Sequence, residues 1–308
     1  MKLVRMFLLV ALTTGMFALP MTATATDVDG PDDCQKPTED FGDAPEIVLA
    51  YPGVPGRFPT CLAPSAPGTQ TLGCAPISTP PGPTGFVRHL TFAAMAPYWL
   101  GCYTSPGGLL GIDREGEGKI NSPSVGWSFC LPGATADCVE SGFGLTFDQD
   151  ECYGDGSDAG LLSMPVFTPC SPATVTFSMA SCLVPRQVFL NILVDMNEDG
   201  DWNDNYICPD GTCAYEWAVK NSPLVLPGIC GPVTSPAFPV GPKSPNGRGW
   251  MRITVSDTPV NDDFPWAGSA TMPGGSLQNG ETEDYPVAVQ NHTDSKNRTW
   301  GQLKKIYR

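Results

Sequence analysis

The chain of 308 residues carries 32 Asp and Glu against 17 Lys and Arg, a formal net charge of -15. That acidity excludes nucleic acid as a partner and implies cation binding and solubility, without identifying a substrate. Its 34 Gly and 33 Pro cut the sequence into short pieces with no long amphipathic periodicity, which excludes a helical bundle and predicts an all-β body.

Residues 1–25 have the anatomy of a cleavable secretory signal: a basic start at Lys2 and Arg5, an apolar stretch from Met6 to Leu19, and the small-x-small ending Ala23-Thr24-Ala25. The apolar run is short for a membrane span and Pro20 interrupts it, so a secreted or surface-associated protein with no transmembrane segment after cleavage is expected. Removing Lys2 and Arg5 leaves 15 cations against 32 acids, a net charge of -17. All 12 cysteines follow the signal, and an even count in an exported chain predicts disulfides and no free thiol. Cys208 and Cys213, which bracket the turn CPDGTC, are the leading candidate pair, and Cys130 with Cys138 the next. A zinc site is the weaker reading, because the spacing of Cys208 and Cys213 exceeds that of a zinc knuckle.

Residues 26–160 read as a loop-rich, disulfide-stapled β region, containing the irregular stretch PISTPPGPTG and a more apolar island, HLTFAAMAPYWLGCY. The acidic run DQDECYGDGSDAG offers Asp148, Asp150, Asp155 and Asp158, but their spacing is irregular and a solvated loop is the simpler reading. From residue 161 to 290 the strand signal improves, with candidates LLSMPVF, ATVTFSMAS, QVFLNILVD, EWAVKN, GWMRITVSD and DYPVAVQ. Short strands at this spacing predict an antiparallel β-sandwich of the Ig-like or jelly-roll type. In WMRITVS, Met251, Ile253 and Val255 alternate with Arg252, Thr254 and Ser256, the pattern of a half-buried strand.

Directly after the apolar run VFLNILV comes DMNEDGDWND, which places side-chain oxygens at Asp195, Asn197, Asp199, Asp201 and Asp204, with Gly200 at the bend. Two carboxylates about 5 Å apart repel by roughly 3 kcal/mol at an effective dielectric of about 20, so four aspartates in one tight turn call for a cation. Calcium fits this all-oxygen set best, since it accepts an adaptable shell where magnesium demands a near-ideal octahedron. The spacing matches D-x-[DN]-x-[DN]-G, but the loop follows a strand and its twelfth position is Tyr206 instead of a bidentate Glu. The last ligand must therefore come from elsewhere. A solvated acidic turn without metal is the alternative.

This loop, followed about eighty residues later by GETEDYPVAV (280–289), resembles the GEVED domain of secreted and surface bacterial proteins. DFGDAPE (40–46) is similar to the DFGDAP element that often precedes such domains, while the many cysteines depart from the usual pattern. The resemblance implies a calcium-binding β-sandwich module of extracellular proteins, with no established catalysis. Glu281, Glu283 and Asp284 border the strand DYPVAVQ, and either Glu283 or Asp284 completes the metal shell or the acids merely solubilise a strand end.

Only His89 and His292 are present, and no zinc-protease HExxH, GxSxG elbow or phosphate-cradling glycine motif occurs. His89 is better explained as a buried, hydrogen-bonded residue than as a general base. These observations favour a non-catalytic calcium-binding structural or adhesion module, with a surface glycan or envelope protein as its partner. A carbohydrate-binding module, using platforms among Trp99, Trp127, Trp202, Trp217, Trp250 and Trp266, is the second reading, and a carboxylate-based glycoside hydrolase the third. Most of these tryptophans are expected in the core, Trp202 beneath the calcium loop. The tail 291–308 turns basic, with Trp300, Leu303 and Tyr307 on one helical face, and reads either as an envelope-docking segment or as a frayed terminus. The oligomeric state is not fixed by the sequence.

Overall fold

The computed structural model describes residues 39–290, apart from 43, 61–64, 78–81, 91–97, 102–159, 162–163, 182–185, 227–230, 243 and 270–274. The signal segment, the acidic run at 148–158, the Cys130–Cys138 pair and the basic tail lie outside the described residues.

The strands in chain order are β1 (Glu39–Phe41), β2 (Glu46–Tyr51), β3 (Val54–Arg57), β4 (Arg88–Leu90), β5 (Tyr98–Leu100), β6 (Val166–Phe167), β7 (Pro172–Ala173), β8 (Thr176–Ser181) and β9 (Gln187–Val194). They continue with β10 (Asn205–Ile207), β11 (Cys213–Tyr215), β12 (Trp217–Val225), β13 (Gly231–Thr234), β14 (Phe238–Pro239), β15 (Arg248–Ser256), β16 (Leu277–Gln278) and β17 (Glu281–Val289). One helical turn, α1, spans Phe264–Ala267. The fold is all-β. Among the described residues no helix is long and apolar enough to cross a membrane.

Two sheets face each other across the main core. A five-stranded sheet has the order β12-β9-β15-β17-β6, and a three-stranded sheet the order β13-β8-β5. Val188, Leu190, Ile192 and Val194 of β9, Met251, Ile253 and Val255 of β15, and Tyr285, Val287 and Val289 of β17 meet Phe177 and Met179 of β8 and Tyr98 and Leu100 of β5. The period-2 alternation of these strands sends every second apolar side chain into this layer. β5, which precedes position 160, pairs with β8 in the sandwich, while β1, β4 and β16 form a separate three-stranded sheet.

The alternation in β15 is present, but its polar face is not solvated. A second core of Tyr51, Phe58, Val87, Trp202, Trp250 and Phe264 covers that face, and Arg252, Thr254 and Ser256 are fully buried. Arg252 donates to Asp284 through Nε (2.7 Å) and Nη2 (2.5 Å), to the Pro59 carbonyl (2.8 Å) and to Thr60 Oγ1 (2.9 Å). Its guanidinium carbon lies 4.7 Å from the centroid of the Trp202 ring. Burying this charge is tolerable because the carboxylate fork and the neutral acceptors occupy its donors. Ala44 donates its backbone N–H to Asp284 Oδ2 at 2.7 Å, so the DFGDAPE and GETED segments meet at this ion pair. His89 is buried, with Nδ1 2.8 Å from the Asn279 carbonyl and Nε2 2.9 Å from Thr282 Oγ1, as expected of a structural histidine.

Two disulfides join described residues, Cys74–Cys213 and Cys170–Cys208, and no described cysteine is free. The expected Cys208–Cys213 bridge is therefore corrected. In the β10–β11 hairpin Ile207 pairs with Cys213, which puts these two side chains on one side of the ribbon and Cys208 on the other. Backbone bonds from Cys208 N–H to the Thr212 carbonyl and from Gly211 N–H to the Cys208 carbonyl, both 2.8 Å, close the turn without sulfur.

Candidate metal centre

Strand β9 ends at Val194, whose neighbours in register are Met251 and, one strand further, Tyr285. The chain then turns sharply, and the turn is organised by Asp195. Its Oδ1 accepts the backbone N–H of Asn197 (3.1 Å) and Glu198 (2.8 Å), while Oδ2 accepts Gly200 N–H (2.9 Å) and the Tyr51 hydroxyl (2.9 Å). Gly200 has φ of +90°, and a Cβ there would sit 2.6 Å from the Pro55 carbonyl oxygen, so the bend requires glycine.

Beyond the bend, Asn197 Nδ2 donates to Asp199 Oδ2 and Asp204 Oδ2, each at 2.8 Å, and Asp201 Oδ1 accepts Asn203 N–H at 3.0 Å. The segment 65–71 lies over the loop. Thr71 donates its N–H to Asp204 Oδ1, and Gly68 approaches Asp201 so closely that a Cβ would overlap Oδ2. Trp202 is 1 % exposed and stacks 4.2 Å from Phe58, packed under the loop as its apolar character predicts.

A distant acid joins this cluster, and it is Glu216. The hairpin returns the chain so that Glu216, between β11 and β12, accepts Met196 N–H through Oε1 (2.9 Å) and Asp204 N–H through Oε2 (3.1 Å). Carboxylate oxygens of Asp195, Asp199 and Glu216 lie within 4.8 Å of one another, as do those of Asp199, Asp201 and Asp204. Asp199 belongs to both groups. Tyr206, the twelfth position of the loop, supplies no carboxylate but donates its hydroxyl to Asp204 Oδ2 at 2.9 Å.

Glu283 and Asp284 belong to neither group. Asp195 lies level with Trp250, whose partner on β17 is Pro286, so β17 runs two strands away, roughly 10 Å at normal strand spacing. Asp284 is held by Arg252, and Glu283 shares the interior face of β17 with Tyr285. The acids are not at the mouth of this strand. Glu281, Glu283 and Asp284 are part of it and fully buried.

Electrostatics make the cluster costly as it stands. Burial, followed by the carboxylates of Asp201, Asp195 and Asp204, pushes Asp199 up to about 9. Burial likewise raises Asp201 to about 8, and Asp195 to about 7 despite the hydrogen bonds from Tyr51 and the loop amides. Glu216 is driven well above the ordinary range, first by burial and then by Asp195, Asp199, Asp204 and Asp201. Among the described residues no Lys or Arg forms a salt bridge with any of these five acids. Asp199 Oδ1 and Asp201 Oδ2 are buried with no hydrogen-bond partner, as are both amide atoms of Asn203.

No protein-family model, curated protein or solved structure matches this chain. The chemistry of the site rests on its donor set, which consists of hard carboxylate and amide oxygens with no nitrogen or sulfur ligand. Such a set fits a hard divalent cation and not a zinc or copper ion. Asn197 now turns Nδ2 toward Asp199 and Asp204 while its Oδ1 accepts the Asp199 N–H at 3.0 Å, so its amide oxygen would join a metal shell only after the side chain reorients.

Proposed function

We propose that the chain is a secreted or cell-surface, non-catalytic module whose Asp195–Asp204 loop and Glu216 bind calcium, and that the cation rigidifies the loop for a structural or adhesive role. The observation that carries this reading is the buried, partnerless pair of oxygens, Asp199 Oδ1 and Asp201 Oδ2, inside a five-acid cluster that forms no salt bridge among the described residues. A buried polar atom without a partner is rare in native proteins and points to an unseen ion or water. Because Asp199 is shared by both carboxylate groups, it would bridge two ions if both groups fill. Calcium bound there would offset repulsion among carboxylates, while Asp195 and Glu216, each accepting loop amides, would transmit the order to the end of β9 and the start of β12.

The exported setting is supported by the signal-like first 25 residues and by two disulfides, bonds that persist in oxidising compartments. The likeness of DMNEDGDWND and GETED to the GEVED domain points the same way. Isothermal titration of chelator-stripped protein with calcium tests the reading. Saturable heat is expected, lost in an Asp195→Ala, Asp199→Ala double variant; a wild-type protein that takes up no calcium overturns it.

A further inference from the structure

The oxygens that call for a cation are closed off from water. Asp199 Oδ1 and Asp201 Oδ2 are both buried without a hydrogen-bond partner, so an ion reaches them only when a covering element moves. The cover over Asp201 is the segment 65–71. A Cβ on Gly68 would sit 1.4 Å from Asp201 Oδ2, which means that the bare Gly68 backbone lies directly on the partnerless oxygen. Three residues further on, the Thr71 N–H donates to Oδ1 of Asp204, a member of the same carboxylate group as Asp199 and Asp201. A calcium ion on Asp201 Oδ2 needs about 2.3–2.6 Å of clear approach, room that Gly68 in this position does not leave on its side.

The opposite side of the cluster is poorly suited to yield. Asp195 and Glu216 are fully buried there and tied to the amides of the turn, so moving them would dismantle the loop itself. Segment 65–71 is built differently, with firm ends and a loose middle. At one end Ser65 donates its N–H to Thr84 Oγ1 and accepts the Thr84 N–H through its carbonyl, both at 2.8 Å. At the other end Asn205 N–H donates to the Thr71 carbonyl (2.9 Å) and Gly73 N–H to the Asn205 carbonyl (2.8 Å), with the Cys74–Cys213 bridge next in the chain. Between these anchors the segment has no regular secondary structure, and Ala66 and Thr69 are exposed. A stretch of this kind opens locally at far lower cost than the packed sheets beneath it.

We propose that segment 65–71 is the gate of the cation site, lifting at Gly68 to admit calcium and closing over it, and that it thereby sets how fast the ion leaves. The inference rests on the cation reading. In the test, the calcium-loaded mature chain is mixed with excess fluorescent chelator in a stopped-flow instrument, and amide hydrogen exchange of the wild type is followed with and without saturating calcium. Gly68→Ala forces the segment off Asp201 without altering a carboxylate, and Gly82→Ala, whose Cβ meets nothing within 4 Å, is the control. Calcium release is expected to quicken about tenfold or more in Gly68→Ala and to stay within about twofold of wild type in Gly82→Ala. Bound calcium is also expected to slow exchange at the amides of residues 68–71 about tenfold, because an ion held more tightly under the closed segment favours the closed state by linkage. A cover with a merely structural role would lower the melting temperature of Gly68→Ala in chelator yet leave calcium release at the wild-type rate, and that result overturns the proposal. Exchange at residues 68–71 that is unchanged by bound calcium overturns it whether or not Gly68→Ala folds. A wild-type protein that takes up no calcium defeats the cation reading and the gate together, whereas calcium uptake with unchanged release or unchanged exchange defeats the gate alone.

Discussion

Replacing Asp199 with Asn should stabilise the calcium-free protein and weaken calcium binding, two effects of opposite consequence from one near-isosteric change. Asp199 Oδ2 accepts from Asn197, a bond that the Asn oxygen can keep, while the new amide nitrogen takes the place of the partnerless Oδ1. Each charged pair at the 4.8 Å limit of the cluster repels by about 3.5 kcal/mol at an effective dielectric of about 20. The same cost appears in the proton equilibrium, because Asp199 titrates at about 9 in the folded protein against 3.8 for an ordinary Asp. A raised carboxylate pKa means that the folded state holds the proton longer, so stability falls as pH climbs from about 4 to about 9. At pH 8 the cost is at most about 6 kcal/mol and at pH 5 at most about 2 kcal/mol, both upper bounds because Asp199 is partly open to water and shares its proton equilibrium with neighbouring carboxylates. Urea unfolding in chelator should show Asp199→Asn more stable than wild type at pH 8, with the gain mostly gone at pH 5. Calorimetry should show calcium affinity reduced at least tenfold, about 1.4 kcal/mol. A variant less stable than wild type in chelator at pH 8, or one with wild-type affinity, would refute the reasoning.

Asp284→Asn should leave calcium affinity within twofold of wild type yet lower stability by about 3–5 kcal/mol, since it strands the buried Arg252 charge; urea unfolding beside calorimetry reads both. Wild-type calcium affinity should rise between pH 6 and pH 9, as protons leave Asp195 at about 7, Asp201 at about 8 and Asp199 at about 9; a pH-independent affinity in calorimetry contradicts this. Cys74→Ala opens a bridge of sequence separation 139. In the chain-entropy account this costs up to about 5 kcal/mol, against about 4 kcal/mol for Cys170→Ala, a ranking that unfolding of the two variants can check.

What the sequence revealed was mostly local. Asp195, Asn197, Asp199, Asp201 and Asp204 lie within one turn, and their spacing with Gly200 is enough to show convergent oxygens. The strands β9, β15 and β17 declared themselves through uninterrupted or alternating apolar residues. Glu216 was illegible for a different reason. Only the β10–β11 hairpin brings it back to the loop, and that return depends on a register no local pattern encodes. Glu283 and Asp284 looked like the missing ligands because acids beside an apolar strand invite a metal, yet a buried carboxylate can be satisfied by a buried cation, and Arg252 stood one strand away. The same Arg252 made β15 look half-solvated, when DFGDAPE and the second core cover it. For the disulfides the hairpin alternation carried the answer, since a pair bracketing a turn is not a pair on one face.

The most direct test of the cation site is a crystal structure of calcium-loaded protein with anomalous diffraction data. The account predicts a calcium peak with Asp199 and at least one of Glu216 and Asp201 among its ligands, at about 2.3–2.6 Å. Clear density for the loop from Asp195 to Asp204 at saturating calcium, with no anomalous peak inside it, would contradict the account.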